Sequence, residues 1–141
     1  LLKVTINDFD GYFDRVLLDA PCSGLGVMRR NPDTKWKRTL KDVLRLSAQQ
    51  KKMLNAAANL VKPGGTLVYA VCSCEPEENE QVITAFLKTR KDYSFEADMD
   101  RPGVLSNSLL TTGDHFFKTY PEGFHMDGFF AAMLKRADKP K

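Results

Sequence analysis

The chain has 141 residues, of which 43% are hydrophobic and 28% are charged, and its formal net charge is +3. This composition is typical of one folded domain and excludes a disordered polymer, and no apolar run is long enough to span a membrane. A net charge of this size allows a polyanionic partner without requiring one. The three cysteines lack the spacing of a disulfide framework and indicate a reducing compartment, so we expect a cytoplasmic protein with no membrane partner.

Two short apolar segments are predicted to form buried parallel strands. Residues 13–19 (Phe-Asp-Arg-Val-Leu-Leu-Asp) end in Asp19, and Pro21 ends this strand because proline cannot donate to a sheet ladder. Residues 67–71 (Leu-Val-Tyr-Ala-Val) are short, apolar and rich in β-formers, which is typical of a central strand covered on both faces, and they lead directly to Cys72.

A long helix is predicted between the two strands. Residues 40–61 place apolar and small side chains on one broad face: Leu40, Val43, Leu44, Ser47, Leu54, Ala57, Ala58 and Val61. Residues 62–65 (Lys-Pro-Gly-Gly) end the helix. A strand–helix–strand crossover makes the two strands parallel, so their carboxyl ends lie on the same side of the sheet. We therefore expect Asp19, Cys22 and Cys72 to meet in one cleft.

A second helix is predicted to begin near Pro76 and to run to about Lys88, because proline is tolerated in a first helical turn and Glu75, Glu77 and Glu78 suit its positive end. A thiol beside a helix N-terminus is biased toward the reactive thiolate. Cys72 is then a candidate nucleophile, and the alternative is a buried cysteine that acts as a small hydrophobe.

The remainder of the chain is predicted to close the sheet. Residues 93–97 are consistent with a short strand, and residues 98–114 with a loop that contains turn signals. Residues 115–120 and 128–135 are β-prone and predict a closing antiparallel hairpin.

Residues 29–38 form a basic segment with five cationic side chains and one tryptophan: Arg29, Arg30, Lys35, Trp36, Lys37 and Arg38. Such a segment can hold phosphates and stack on a base. The alternative is a solvated basic loop whose tryptophan packs against the domain.

Two thiols and a carboxylate in one cleft suit few chemistries. Zinc binding is disfavoured because Cys72 and Cys74 are too close for the usual ligand spacing, and His115 and His125 lie far along the chain, so we expect no metal. A redox dithiol lacks its Cys-x-x-Cys motif. A cysteine hydrolase needs a histidine base, and no motif places either histidine beside a thiol.

A fourth chemistry is covalent activation of a pyrimidine. A thiolate that adds to carbon 6 of cytosine makes carbon 5 nucleophilic enough to attack an electrophilic methyl group. A carboxyl group stabilises the adduct, and a base then removes the carbon 5 proton so that the thiol can leave. One nucleophilic cysteine, one aspartate and a second cysteine are sufficient for this sequence of steps.

The same residues resemble a known family, the Sun/Fmu (RsmB-type, NSUN) RNA cytosine-5 methyltransferases, and its bacterial ribosomal RNA members in particular. The resemblance covers nearly the whole chain. It is carried by residues 19–24 (Asp-Ala-Pro-Cys-Ser-Gly), 69–73 (Tyr-Ala-Val-Cys-Ser), 76–79 (Pro-Glu-Glu-Asn), 29–33 (Arg-Arg-Asn-Pro-Asp), Lys35-Trp36, 62–65 (Lys-Pro-Gly-Gly) and 127–130 (Asp-Gly-Phe-Phe).

The resemblance implies a role for each residue of the cleft. Cys72 matches the nucleophile, and Cys22 matches the second cysteine that releases the methylated product. Asp19 matches the acid that contacts cytosine and lies close to the methyl donor, S-adenosylmethionine, and Pro21 shapes the target-base pocket. The basic segment is then expected to contact RNA, and ribosomal RNA is the expected partner.

The resemblance also implies the fold class and the extent of the domain. The fold is α/β, the second half of a class I (Rossmann-like) S-adenosylmethionine-dependent methyltransferase domain. Residues 1–141 are expected to be the C-terminal part of one catalytic domain, without the upstream cofactor-binding half and an N-terminal RNA-binding region. We therefore expect the chain alone to be inactive and to self-associate through the exposed edge of the strand at residues 14–19.

Two residues depart from the family pattern. The family usually has threonine where Val71 precedes the nucleophile, and Cys74 is an extra thiol two residues from Cys72. Cys74 is expected either to point away or to oxidise with Cys72. The rival interpretation of the whole chain is a non-catalytic RNA-binding or structural domain, and the presence of both Cys22 and Cys72 argues against it.

Overall fold

The computed structural model describes residues 11, 13–96, 111–112, 115–121 and 126–138. Its elements in chain order are β1 (Phe13–Asp19), a 3₁₀ turn (Leu25–Val27), α1 (Thr34–Lys37), α2 (Leu40–Leu60), β2 (Val61–Val71), α3 (Glu80–Thr89), β3 (Tyr93–Phe95), β4 (Thr111–Thr112), β5 (Phe116–Thr119) and β6 (Phe129–Arg136). None of the helices in these ranges is long and apolar enough to cross a membrane.

The strands form one mixed sheet in the order β1-β2-β6-β5-β4, and β3 also pairs with β6. β1 and β2 are parallel, with Asp19 opposite Ala70, which confirms the predicted crossover through α2. β6 runs antiparallel to both β2 and β5, so the predicted closing hairpin is also confirmed. The carboxyl ends of β1 and β2 therefore lie at the same edge of the sheet.

Helix α2 begins at a capping box and ends within one residue of its predicted limit. The Thr39 side chain accepts a hydrogen bond from the Asp42 backbone N–H, and the Asp42 carboxylate accepts from the Thr39 N–H and hydroxyl at 3.1 and 2.7 Å. The predicted apolar face is wrong at Leu40 and Leu44, which are exposed. The buried face of α2 is turned relative to the predicted one and includes polar side chains that have hydrogen-bond partners. The buried residues of the helix are Val43, Leu46, Ser47, Gln50, Leu54, Ala57 and Ala58.

The core lies on one face of the sheet. Leu67, Tyr69 and Val71 of β2 are buried in one cluster with side chains from α2, α3 and β6. The opposite face carries Leu17, Val68 and Met133, aligned by register across the three strands, together with Arg15, Thr66 and Lys135. We call this surface the open face, because no described helix covers it. The prediction that β1 is buried is therefore wrong for these residues, and Leu17 is 68% exposed.

Helix α3 begins at Glu80, four residues later than predicted. The preceding residues form turns, with the N–H of Glu78 donating to Glu75 O at 3.0 Å and the N–H of Asn79 donating to Pro76 O at 3.2 Å. The helix cannot begin earlier because the Glu78 side chain is turned into the protein and Asn79 has non-helical dihedrals of −106° and −106°. Cys72 therefore precedes a turn, and no helix N-terminus follows it directly.

Among the short elements, one confirms its prediction and two correct theirs. β3 ends at Phe95, close to its predicted limit. Thr111 and Thr112, predicted to lie in a loop, pair with Phe117 and Phe116. The basic segment, also predicted as a loop, contains the single turn of α1. The turn signals at 102–103 and 113–114 lie outside the described residues.

Candidate active site

Two thiols meet where β1 and β2 end. Cys22 follows β1 by three residues, Cys72 follows β2 directly, and their Sγ atoms are 3.2 Å apart. Burial, together with the hydrogen bond and negative charge of Cys72, raises the pKa of Cys22 to about 12. Cys22 therefore keeps its proton at neutral pH, and its S–H group can donate a hydrogen bond to the Cys72 sulfur.

Asp19 and Pro21 lie at the same end of β1 and are both exposed. The Asp19 carboxylate makes no hydrogen bond or ion pair within the described ranges, so it is available to a ligand. The Pro21 carbonyl accepts a hydrogen bond from Gln50 Nε2 at 3.0 Å, which fixes the loop between Asp19 and Cys22 against α2. The predicted acid is therefore exposed at the end of β1, while the two thiols are half-buried.

A buried carboxylate joins the two cysteine loops. Glu78 is fully buried, and its Oε2 accepts hydrogen bonds from the hydroxyls of Ser23 at 2.5 Å and Ser73 at 2.6 Å. Its Oε1 accepts from the Ser23 N–H at 2.8 Å and from Gln50 Nε2 at 3.0 Å. Both carboxylate oxygens are thus satisfied by donors, as a buried carboxylate requires.

Because one carboxylate binds the serine after each cysteine, Glu78 fixes the positions of the two thiols relative to each other. The hydroxyl of Tyr69 also donates to the Glu78 carbonyl at 2.7 Å, so the main chain of Glu78 is fixed from β2. Sequence reasoning assigned Glu78 to the positive end of a helix and missed Ser23, Ser73 and Gln50. The repeated Cys-Ser pair at two strand ends was the available signal for the serines.

Backbone contacts bring a third loop against the nucleophile candidate. The Gly26 N–H donates to the Cys72 carbonyl at 3.1 Å, and the Gly128 N–H donates to the Gly26 carbonyl at 2.7 Å. A Cβ on Gly26 would overlap the Gly128 carbonyl, and a Cβ on Gly128 would overlap the Cys74 sulfur. Cys74 therefore packs against Gly128, and any side chain larger than that of glycine at position 128 would clash with the Cys74 sulfur.

The basic segment lies exposed beside these loops. Trp36 is 84% exposed, so the alternative in which it packs against the domain is wrong, and Lys35 Nζ lies 5.6 Å from its ring centroid. Lys37 Nζ lies 3.4 Å from Asp33 Oδ2. Arg38 Nε donates to the Ser23 carbonyl at 3.0 Å, which ties the segment to the first cysteine loop.

Metal coordination has no support among the described residues. Within those ranges, no group of three or more histidine, cysteine, aspartate or glutamate side chains could hold an ion. His115 is exposed, and His125 lies outside the described residues.

Comparison with known proteins gives the family. The model of the family described as 16S rRNA methyltransferase RsmB/F matches residues 3–135. The chain is 45% identical to the probable ribosomal RNA small subunit methyltransferase B of Synechocystis sp., over 88% of this chain and 27% of the relative. It is 48% identical to the ribosomal RNA small subunit methyltransferase B of Enterobacter sp., over 77% of this chain and 26% of the relative.

A solved structure agrees with the sequence relatives. The crystal structure of NSun6 from Pyrococcus horikoshii with SFG superposes with a TM-score of 0.65 at 33% identity, covering 88% of this chain and 30% of that one. The likeness confirms the predicted Rossmann-like methyltransferase fold in part of a domain. The chain spans about a quarter of the length of the curated relatives it matches. By sequence and by fold, this chain belongs to the RsmB/F family of 16S rRNA methyltransferases.

Proposed function

We propose that the protein methylates carbon 5 of a cytosine in small-subunit ribosomal RNA, through a covalent adduct between Cys72 and carbon 6. The single observation that carries this proposal is the 3.2 Å contact between the Cys22 and Cys72 sulfurs at the ends of two parallel strands. The relatives' names supply the RNA and the methyl transfer. The two thiols supply the reason for choosing carbon 5 of a pyrimidine.

In this reaction Cys72 attacks carbon 6 of the cytosine, and Cys22 stays protonated during the attack. The Cys72 thiolate forms a bond to carbon 6, and the π electrons of the 5,6 double bond become available at carbon 5. Asp19, exposed at the end of β1, contacts ring nitrogen 3 and the exocyclic amine. Because burial and Cys72 together hold the pKa of Cys22 near 12, Cys22 stays a neutral thiol and does not compete as a nucleophile.

S-adenosylmethionine supplies the electrophilic methyl group, and SFG in the NSun6 structure is an analogue of it. Two residues of this chain suit one side of such a ligand, because the unpartnered Asp19 carboxylate can accept hydrogen bonds and Pro21 offers an exposed apolar ring close to it in the chain. With the donor held there, carbon 5 would bond to the methyl carbon, and the methyl–sulfur bond would break to leave a neutral thioether.

Product release requires the second thiol. Once the Cys72 sulfur is bonded to carbon 6, its charge no longer raises the pKa of Cys22, and burial is the main cause that remains. In this proposal Cys22 then gives its proton to solvent and becomes a thiolate. Cys22 then removes the proton from carbon 5, the electron pair restores the 5,6 double bond, and the Cys72 thiolate leaves. In this order Cys22 acts as a base only after Cys72 has bonded to carbon 6.

The RNA is proposed to reach this site over the basic segment. Trp36 and Lys35 offer an exposed ring and a cation for a base and a phosphate, and Arg29, Arg30, Lys37 and Arg38 add further cations. The target cytosine must leave its stack to enter the cleft, as for other enzymes that act on a base. The hydrogen bond between Arg38 and Ser23 connects this surface to the first cysteine loop.

The test uses the full-length protein, unmodified 16S rRNA transcript and radiolabelled S-adenosylmethionine. We expect Cys72→Ala to abolish methyl transfer, and Cys22→Ala to accumulate a protein–RNA adduct that survives denaturation. Cys74→Ser is the matched control, because this thiol lies two residues from Cys72 and packs against Gly128. Mass spectrometry of the nucleosides identifies the product as 5-methylcytidine. Unchanged methylation and no adduct in both alanine variants would show that the roles are wrong.

A further inference from the structure

A pocket opens beside the candidate active site, between the basic segment and the strands β5 and β6. Its volume is about 410 Å³, within the range of small-ligand sites. Its walls include Arg29, Arg30, Phe117, Thr119, Asp127 and Phe129. We infer that this pocket binds one unpaired nucleotide that neighbours the target cytosine and accepts any base there. The inference rests on the proposed function, because it takes RNA as the substrate.

The cationic wall of the pocket suits a phosphate. Arg30 Nε lies 2.6 Å from Asp127 Oδ2, and the Arg30 side chain is 76% exposed whereas that of Asp127 is 6% exposed. The buried carboxylate therefore fixes Arg30 while its terminal nitrogens remain open to solvent. Arg29 is exposed and makes no ion pair within the described residues, so one positive charge is left for an anion.

The apolar wall of the pocket suits a base. Phe129 is 44% exposed at the start of β6, and Phe117 of β5 is half-buried beside it. An exposed aromatic ring next to cations is the arrangement by which single-stranded nucleic acid is bound, with the base stacked on the ring and the backbone at the cation.

The remaining polar groups of the pocket are already occupied. The Thr119 hydroxyl donates to the Asp127 carbonyl at 2.6 Å and accepts from the Phe129 N–H at 2.9 Å. The Asp127 carboxylate is bound to Arg30. Few groups therefore remain to read the edge of a base, so binding by stacking and phosphate contact tolerates all four bases.

The position of the pocket makes its occupant a neighbour of the target. The wall residue Asp127 is followed by Gly128, whose N–H binds the Gly26 carbonyl, and the N–H of Gly26 binds the Cys72 carbonyl. Two hydrogen bonds thus connect the pocket wall to the proposed nucleophile. A nucleotide held in the pocket fixes the position along the RNA at which the target cytosine enters the cleft.

The test compares Phe129→Leu and Arg29→Ala in the full-length protein with unmodified 16S rRNA transcript. Phe129→Leu keeps an apolar side chain but removes the stacking surface, and we expect the KM for RNA to rise roughly tenfold with kcat unchanged. Arg29→Ala should weaken RNA binding and make the negative slope of log binding constant against log salt concentration shallower by about one. Ultraviolet cross-linking of the wild type should join RNA to the peptide that contains Phe129.

Matched controls are Tyr120→Leu, an aromatic that is 51% exposed outside the pocket, and Lys88→Ala, an exposed cation on α3. If the pocket variants behave like these controls while the wild type makes 5-methylcytidine, the inference is overturned and the proposed function stands. Cross-linking at Phe129 and the expected loss of RNA binding, without methyl transfer, would support a nucleotide pocket but sink the proposed function, and with it the claim that the nucleotide neighbours a target cytosine. A wild type that binds no 16S rRNA overturns both.

Discussion

At the scale of single residues, Glu78 is the group on which the geometry of the two thiols depends. We expect Glu78→Ala to lower the free energy of unfolding by about 3 kcal/mol, because it leaves the buried donors of Ser23, Ser73 and Gln50 without an acceptor. Urea denaturation followed by circular dichroism measures this change.

Glu78→Gln is the matched control for that prediction. Its amide oxygen can still accept from the Ser23 N–H and Gln50, and its NH₂ can donate to the two hydroxyls once these rotate. We therefore expect a smaller loss of stability than for alanine. An alanine variant as stable as the wild type would show that the carboxylate does not hold the loops together.

The residue scale also shows what the sequence could not reveal about the site. The parallel crossover was enough to predict that Cys22 and Cys72 come together, since it depends only on strand order and direction. Glu78 could not be placed in the same way. An acid near a helix start is usually solvated, and its burial here depends on donors from Gln50 and Ser23, which lie 28 and 55 residues away in the chain.

At the scale of elements, α2 carries Gln50 to the cysteine loops and is stabilised at its start by the Thr39–Asp42 capping box. We expect Thr39→Ala to lower the free energy of unfolding by about 1 kcal/mol at neutral pH, because it removes the side-chain cap. Thr39→Ser keeps the hydroxyl and should stay close to the wild type. Equal stability of the alanine and serine variants would contradict the role of the cap.

The pH dependence of this cap follows from Asp42. Hydrogen bonds from Thr39 lower the pKa of the Asp42 carboxyl below its ordinary value of 3.8. A lowered folded pKa means that the contribution is present above pH 3.8 and is lost as the pH falls through the folded value. The difference between the wild type and Thr39→Ala should therefore shrink in acid, which urea denaturation at pH 7 and pH 3 can measure.

The sequence pattern predicted those helices and strands whose extent depends mainly on nearby residues. The extent of α2 follows from its periodicity, and the hairpin of β5 and β6 follows from two β-prone runs. The prediction that residues 62–65 end the helix is wrong, because they lie within β2, which begins directly after α2. The exposure of Leu40 and Leu44 could not be predicted from periodicity, because both residues also fit a helical apolar stripe. Which side of α2 is buried was decided by the partners of Ser47 and Gln50.

At the scale of the whole molecule, the described residues form a sheet with a core on one face only. Parallel strands are normally buried on both faces, and the open face carries apolar side chains of Leu17, Val68 and Met133. β1 also lies at the end of the strand order, with β2 as its one partner among the described strands. An unpaired edge beside an apolar surface is a template for association.

We therefore expect the isolated 141-residue chain to self-associate through β1 and the open face. Light scattering after size exclusion should show a mass that rises with concentration. Leu17→Lys places a charge on a side chain that is 68% exposed on this face, and it should shift the chain toward monomer. Leu44→Lys is the matched control, because this leucine is 53% exposed on α2, away from the open face. A monodisperse wild-type monomer at every concentration would contradict the prediction, and so would equal shifts in both variants.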